Sequence, residues 1–339
     1  MNPRHLLALL PLAIVLSMPG AAQAAPQTID ADDLERGATT SVAHLVGTTL
    51  RTGAGKSFEL PATEGDYHLL GKSRAGWVIW EKGAFSGTGQ EHNLLLLKGG
   101  KTSTFYSRTA PVVDDDSTHA TYLLSDSTKR VAQVFRRAEA PTQVTVVNLS
   151  GEKVASRFFD DTSDVLDFPG PRMILGDHRV VRTWRPGHRP TVTAKREANY
   201  ADTARDQVSL RGKKGRFGFT TLSRPGRLRW SARFDPMRIS PDGRRVYGLK
   251  LGVKGDSRRD VLQVRRMRDG KLIASFRTRF LRQTAAIAST WEGSKAVVFL
   301  ADLSGDKGAV LVRCRVKGAC VRASDNGYPI TVPFQPDRG

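Results

Sequence analysis

Short apolar runs with alternating polar positions, punctuated by glycine, proline and Asp-Gly, recur along most of the chain, and Met237–Ser275 shows the pattern most clearly. Met237-Arg238-Ile239 reads as a short strand, Ser240-Pro241-Asp242-Gly243 as a turn, and Arg245-Val246-Tyr247-Gly248-Leu249 resumes with alternating faces. Proline presets φ at the second turn position and glycine closes the turn at little steric cost. A second hairpin follows, with Val261–Arg265 and Leu272–Ser275 on either side of Arg268-Asp269-Gly270. Asp-Gly between strand-like runs is a strong short-range hairpin signal. No long helical stretch appears beyond residue 40.

The same unit returns in degenerate form. Thr121–Val131 lies over Arg238–Val246 with Ser125 on Ser240, and Leu149–Ser156 mirrors Arg268–Ser275. A third echo is Val316–Ser324, and all three hairpins share a loop ending in glycine and a strand ending in Ala-Ser. Candidate turn glycines are Gly55, Gly100, Gly151, Gly187, Gly226, Gly270 and Gly318, separated by 36 to 51 residues. Four strands in about 40 residues, repeated with tight turns, is the unit of a β-propeller blade. The spacing predicts an all-β propeller of seven blades, with six as the alternative. The strand-like tail Tyr328–Phe334 is expected to pair with the first hairpin and close the ring, which removes exposed sheet edges.

Arg4 and His5, the apolar run Leu6–Leu16 and Ala22-Gln23-Ala24 read as a cleavable signal peptide, residues 1–24. Residues 25–41 then read as a flexible linker and 42–335 as a single propeller domain. No other apolar run is long enough to cross a bilayer, so a secreted or envelope-associated monomer is expected. The two cysteines, Cys314 and Cys320, flank a loop at Val316-Lys317-Gly318. If Gly318 takes the left-handed loop position, the cysteines face one another across a hairpin, within disulfide reach in an oxidising compartment.

The Ser-Pro-Asp-Gly turn followed by Arg244-Arg245-Val246 resembles the repeat of TolB-like and WD40-like propellers, which carry that turn between the two inner strands of a blade. The resemblance spans roughly residues 45–335, and without the Trp-Asp and Gly-His signatures of true WD40 repeats it leans to the TolB-like side. The cysteine-containing last unit also resembles secreted actinobacterial propellers. The resemblance implies a fold and brings no active-site residues with it.

Candidate chemistry is sparse. Gly53-Ala54-Gly55-Lys56-Ser57 lacks the glycine of a phosphate loop at Leu50 and reads as a turn. Gly255-Asp256-Ser257 continues into Arg258-Arg259, not glycine, so it is no nucleophile elbow. His44, His68, His92, His119, His178 and His188 are scattered singly and read as structural, and Asp114-Asp115-Asp116 as an acidic connector. Trp77, Trp80, Trp184, Trp230 and Trp291 fall at similar places in their units and read as packing between blades. No metal site, catalytic residue or cofactor is expected.

Charge changes the picture. The formal net charge is +20, and residues 201–282 hold 23 lysines and arginines against seven aspartates, a net of +16. Such a field attracts polyanions. A basic face built on Arg211, Lys213, Lys214, Arg216, Arg258 and Arg259 is therefore the candidate contact for an anionic envelope polymer or protein partner. Compositional bias spread over solvated strand faces, as in Arg265-Arg266-Met267-Arg268, is the competing explanation. No aromatics interleave with the basic residues, which argues against sequence-specific nucleic-acid binding. The expected function is a non-catalytic binding module; the alternative is a hydrolase or lyase acting on a sugar or peptide at the propeller channel.

Overall fold

The Ser240–Gly243 turn forms as its residues dictate. Gly243 donates its N–H to Ser240 O (2.8 Å) at φ +70°, and Ser240 Oγ accepts from Arg245 N (3.0 Å). Ser125 builds the same turn in the degenerate copy: its Oγ accepts from Arg130 N (3.1 Å), and Thr128 N–H reaches Ser125 O (2.7 Å). Thr128 occupies the place of Gly243 and takes φ 55°, a left-handed conformation disfavoured for a β-branched residue.

In this computed structural model the described residues are 26–86, 89–111, 119–136, 141–159, 164–252, 261–278, 289–304, 307–327 and 330–333. They form seven sheets, the seven blades of a propeller. Blade one holds His44–Val46, Thr49–Arg51 and Ser57–Glu59; blade two runs from Asp66 to Pro111, blade three from His119 to Phe159, and blade four from Asp164 to Ala194. Blade five holds Ala198–Asp202, Gln207–Arg211 and Phe217–Thr221. Blade six holds Phe234–Ile239, Arg245–Lys250, Val261–Arg266 and Leu272–Thr278, and blade seven runs from Ser289 to Arg322. First strands of several successive blades touch one another, among them Asp66–Lys72 with His119–Leu124, Asp164–Asp167 with Ala198–Asp202, and Ala198–Asp202 with Phe234–Ile239, which places them toward the axis. The tail strand Ile330–Thr331 pairs antiparallel with His44–Val46 and supplies the innermost strand of blade one, closing the ring.

Each pair of adjacent blades shares one apolar cluster. Leu45, Leu50 and Tyr67 belong to the seam between blades one and two, and Phe159 and Trp184 to that between three and four. All five tryptophans lie in or against such seams, as expected. Packing on both faces explains why middle strands lose the alternation of a half-exposed sheet: Val131–Phe135 are buried throughout. In the outer strand of the same blade, Lys153–Phe159, only Phe159 is buried.

Three sequence expectations need correction. The expected linker 25–41 is not loose over its described residues, 26–41: Gln27–Ile29 adds a parallel fifth strand to the outer edge of blade six, and Ile29 and Ala31 enter the seam with blade seven. The segment then runs along the last strand of blade seven, with Gly37 N–H on Arg322 O (2.9 Å) and Thr40 N–H on Ala323 O (2.8 Å). In blade five the expected hairpin around Gly226 is reduced to a bridge between Phe217 and Ala232. Beyond the bridge one backbone bond remains, Arg229 N–H on Phe219 O (2.9 Å), and the turn around Pro225 is held by side chains, Thr220 Oγ1 taking the Gly226 N–H and Thr221 Oγ1 donating to Arg224 O. Gly318 adopts no left-handed conformation, and the loop is held instead by Val316 N–H on Lys295 O (2.8 Å). The pairing of Cys314 with Cys320 stands all the same, and they form a disulfide with Cα atoms 4.1 Å apart. The proposed signal peptide, Asp114–Asp116 and Gly255–Ser257 lie outside the described residues.

Candidate functional site

Two cavities and one ring stack among the described residues bring candidate chemistry together. The first cavity, about 610 Å³, opens where turns of blades one, two, three, six and seven converge at the channel. Lys56, Lys72, Trp77, Asp126 and Glu292 line it, with no histidine among the described lining residues. Glu292 is occupied as a clamp on the chain entering blade one. Its Oε1 accepts from Ser41 N (2.6 Å) and Thr40 Oγ1 (2.8 Å), and its Oε2 from Arg313 Nη1 (3.3 Å). Burial raises its pKa, but these donors outweigh that and hold it below the ordinary carboxylate value. Gly53–Ser57 is a turn at the rim, closed by Thr52 N–H on Lys56 O (2.9 Å), with Gly55 at φ +76°.

Two histidines that are distant in sequence meet in the seam between blades two and three. The rings of His68 and Trp80 stack at 4.5 Å, Trp80 and His92 at 5.6 Å, and Tyr122 tilts against Trp80 at 4.7 Å. Trp80 Nε1–H donates to His92 Nδ1 (3.1 Å), so that nitrogen is unprotonated and the proton sits on Nε2. Gln133 Nε2 donates to the buried Tyr122 hydroxyl (2.7 Å). Burial pushes both His68 and His92 down to about 4, since a charged imidazole there would lose its hydration. The stack is a packed, neutral core feature. Among the described residues no group of three or more His, Cys, Asp or Glu could hold a metal ion.

The second cavity, about 560 Å³, is a groove between blades five and six. Lys214, Arg216, Arg233, Lys250 and Arg265 line it, with no acidic residue among the described lining. The first four are exposed at the rim, and Arg265 is half-buried beneath them. Local structure forces these charges together. The turn Lys213–Gly215 places Lys214 at φ 57°, and the bridge between Phe217 and Ala232 sets Arg216 opposite Arg233. Like charges placed opposite one another across strands are destabilising. Arg265 lies over the Phe234 ring at 5.4 Å and donates from Nε (3.1 Å) and Nη2 (2.8 Å) to Gln263 Oε1, and from Nη1 (2.8 Å) to Gly270 O. Burial and the Arg216 charge both push its pKa below the usual guanidinium value.

Of the residues expected to form the basic face, Lys214 and Arg216 enter this groove. Arg211 is paired with Glu197, Lys213 is exposed on the same turn, and Arg258 and Arg259 lie outside the described residues. Arg233, Lys250 and Arg265 were missed. Arg265 in particular does not sit on a solvated strand face as its sequence context suggested, because Phe234 and Gln263 hold it at the seam. Each of the three sits at the edge of an apolar pair or bridge, and only strand register would have aligned them.

No protein-family model matches the sequence, and no curated protein matches it. Solved structures do match. The AfRom2 CNH domain is 8% identical with a TM-score of 0.52, covering 81% of this chain and 94% of that one. A putative 6-phosphogluconolactonase from Bacteroides uniformis is 11% identical with a TM-score of 0.51, covering 87% and 97%. The C-terminal WD40 domain of Sif2 is 10% identical with a TM-score of 0.49, covering 84% and 73%. At these identities the similarity is one of fold.

Proposed function

We propose that this propeller is an exported, non-catalytic binding module that works at or outside the cell envelope and engages anionic partners through its basic flank, residues 211–282. The observation that carries the reading is the groove between blades five and six, where five cations gather without a described carboxylate. Propellers present loops and seams on a rigid ring and serve widely as interaction scaffolds, so the fold is consistent with binding and does not by itself choose the partner. Export rests on the charged, apolar and small-residue succession of residues 1–24.

Retention of the mature protein on its own isolated envelope, titrated from low to high salt, tests this. Contact with a polyanion releases counterions, so retention falls steeply as salt rises. Changing Lys213, Lys214, Arg258 and Arg259 to glutamine should abolish it at moderate salt. Undiminished retention of that variant would sink the proposal, and absence of binding at low salt would redirect attention to the channel cavity as a hydrolase or lyase site.

A further inference from the structure

We propose that the groove between blades five and six is a phosphate site that holds consecutive phosphate groups of a chain without aromatic bases, with Arg265 as its anchor. The inference deepens the reading of a basic binding face and rests on it. A guanidinium carries five N–H groups. Three of those on Arg265 go to Gln263 and Gly270, and the other two have no acceptor among the described residues. The side chain is therefore pinned, its plane fixed against Phe234, with donor capacity left over. Planar, preorganised guanidinium groups suit phosphate oxygens, which accept in pairs.

The rim explains the chain. Lys214, Arg216, Arg233 and Lys250 have no ion-pair or side-chain hydrogen-bond partner among the described residues, and Arg216 faces Arg233 across a bridge. One carboxylate would neutralise a single charge of this set, whereas successive phosphates each bring at least one charge and several acceptor oxygens. The volume, about 560 Å³, exceeds what one phosphate needs. The described lining holds no aromatic side chain, only Pro26, Ala232 and Leu272 as apolar surface, so it offers no aromatic platform for a base or a sugar ring. Lys214 is held in a left-handed conformation that costs free energy, as is common where a side chain is aimed at a ligand.

Calorimetric titration of the full chain with tripolyphosphate, inorganic phosphate and citrate, at matched ionic strength and pH, is the test. Tripolyphosphate should bind at least about tenfold more tightly than either of the others, the equivalent of one added charge-assisted contact. Arg265→Gln should weaken it by about tenfold or more. Because Arg265 also packs, the exposed triple variant K214Q/R216Q/K250Q provides a second reading with the fold intact, and should weaken binding similarly and flatten its salt dependence. Equal affinity for tripolyphosphate and citrate would reduce the groove to undirected charge and overturn the proposal. Equal affinity for inorganic phosphate would overturn the chain, and unchanged binding in the triple variant would overturn the location. Salt-sensitive envelope retention alongside any of these failures leaves the basic-face reading standing. Tight tripolyphosphate binding by a protein that ignores its envelope supports the site and removes that reading.

Discussion

Acid should loosen the seam between blades two and three before it touches the rest of the ring. His68 and His92 titrate near 4 in the folded protein, against 6.5 in an unfolded chain. A histidine with a depressed folded pKa leaves stability whole above 6.5, and that stability is lost as pH falls from 6.5 toward 4, because the unfolded chain takes up the proton first. At pH 5 a fully buried ring with these values has lost about 2 kcal/mol. His92 is 3% exposed and should approach that figure, while His68, half-buried, contributes less; together they should remove about 3 kcal/mol. His44, also buried with a pKa lowered by desolvation, adds a smaller slope of its own. Carboxylates such as Glu292 and Asp177 are held below their ordinary values and act further down the scale. The assay is urea unfolding at pH 8, 7, 6 and 5, followed by tryptophan fluorescence, for the wild type and for His68→Gln/His92→Gln. Glutamine can still accept from Trp80 Nε1 but does not titrate, so the variant should lose markedly less stability between pH 7 and 5. An identical loss in both proteins would refute the assignment of the acid-sensitive step to this stack.

The Cys314–Cys320 disulfide closes a loop of sequence separation six within blade seven. Loop-closure entropy gives about 2 kcal/mol for so short a ring, so Cys314→Ala/Cys320→Ala should lower the denaturation midpoint, and a reductant should lower the wild type alone. A reductant effect in neither protein would count against the bond. Thr128 holds the left-handed turn position that Gly243 holds in its counterpart. Left-handed strain of about 1–2 kcal/mol, less the extra chain entropy of glycine, predicts that Thr128→Gly stabilises by about 0.5–1 kcal/mol. Gly243→Ala, whose new methyl would meet only Arg205 at 3.4 Å, should destabilise by about 1 kcal/mol through φ alone. Destabilisation by Thr128→Gly, or stabilisation by Gly243→Ala, in thermal melts would refute the equivalence of the two turns.

Strand-rich runs, Ser-Pro-Asp-Gly and Asp-Gly turns, and recurrent hairpin glycines are local properties, and they were enough to specify blades. Gly55, Gly100, Gly151, Gly187 and Gly270 all sit at positive φ where the spacing placed them. Gly226 and Gly318 do not, since Thr220, Thr221 and Val316 satisfy those loops by bonds that composition does not announce. The opposed cysteines and the closing tail were legible for the same reason, because pairing between near neighbours and between chain ends follows from pattern and ring closure. The functional groups were not. The basic stretch was visible as a charge count, yet which cations meet was decided by the seam between blades five and six. There a bridge of one residue pair aligns Arg216 with Arg233, and Phe234 with Gln263 turns Arg265 inward. The same holds for His68 and His92, read as solitary and found on either side of Trp80. Sequence by itself determined the repeat, because turns and alternation act over a few residues. Only the tertiary structure decided the sites, because each lies between strands or blades whose register is fixed by packing across the ring.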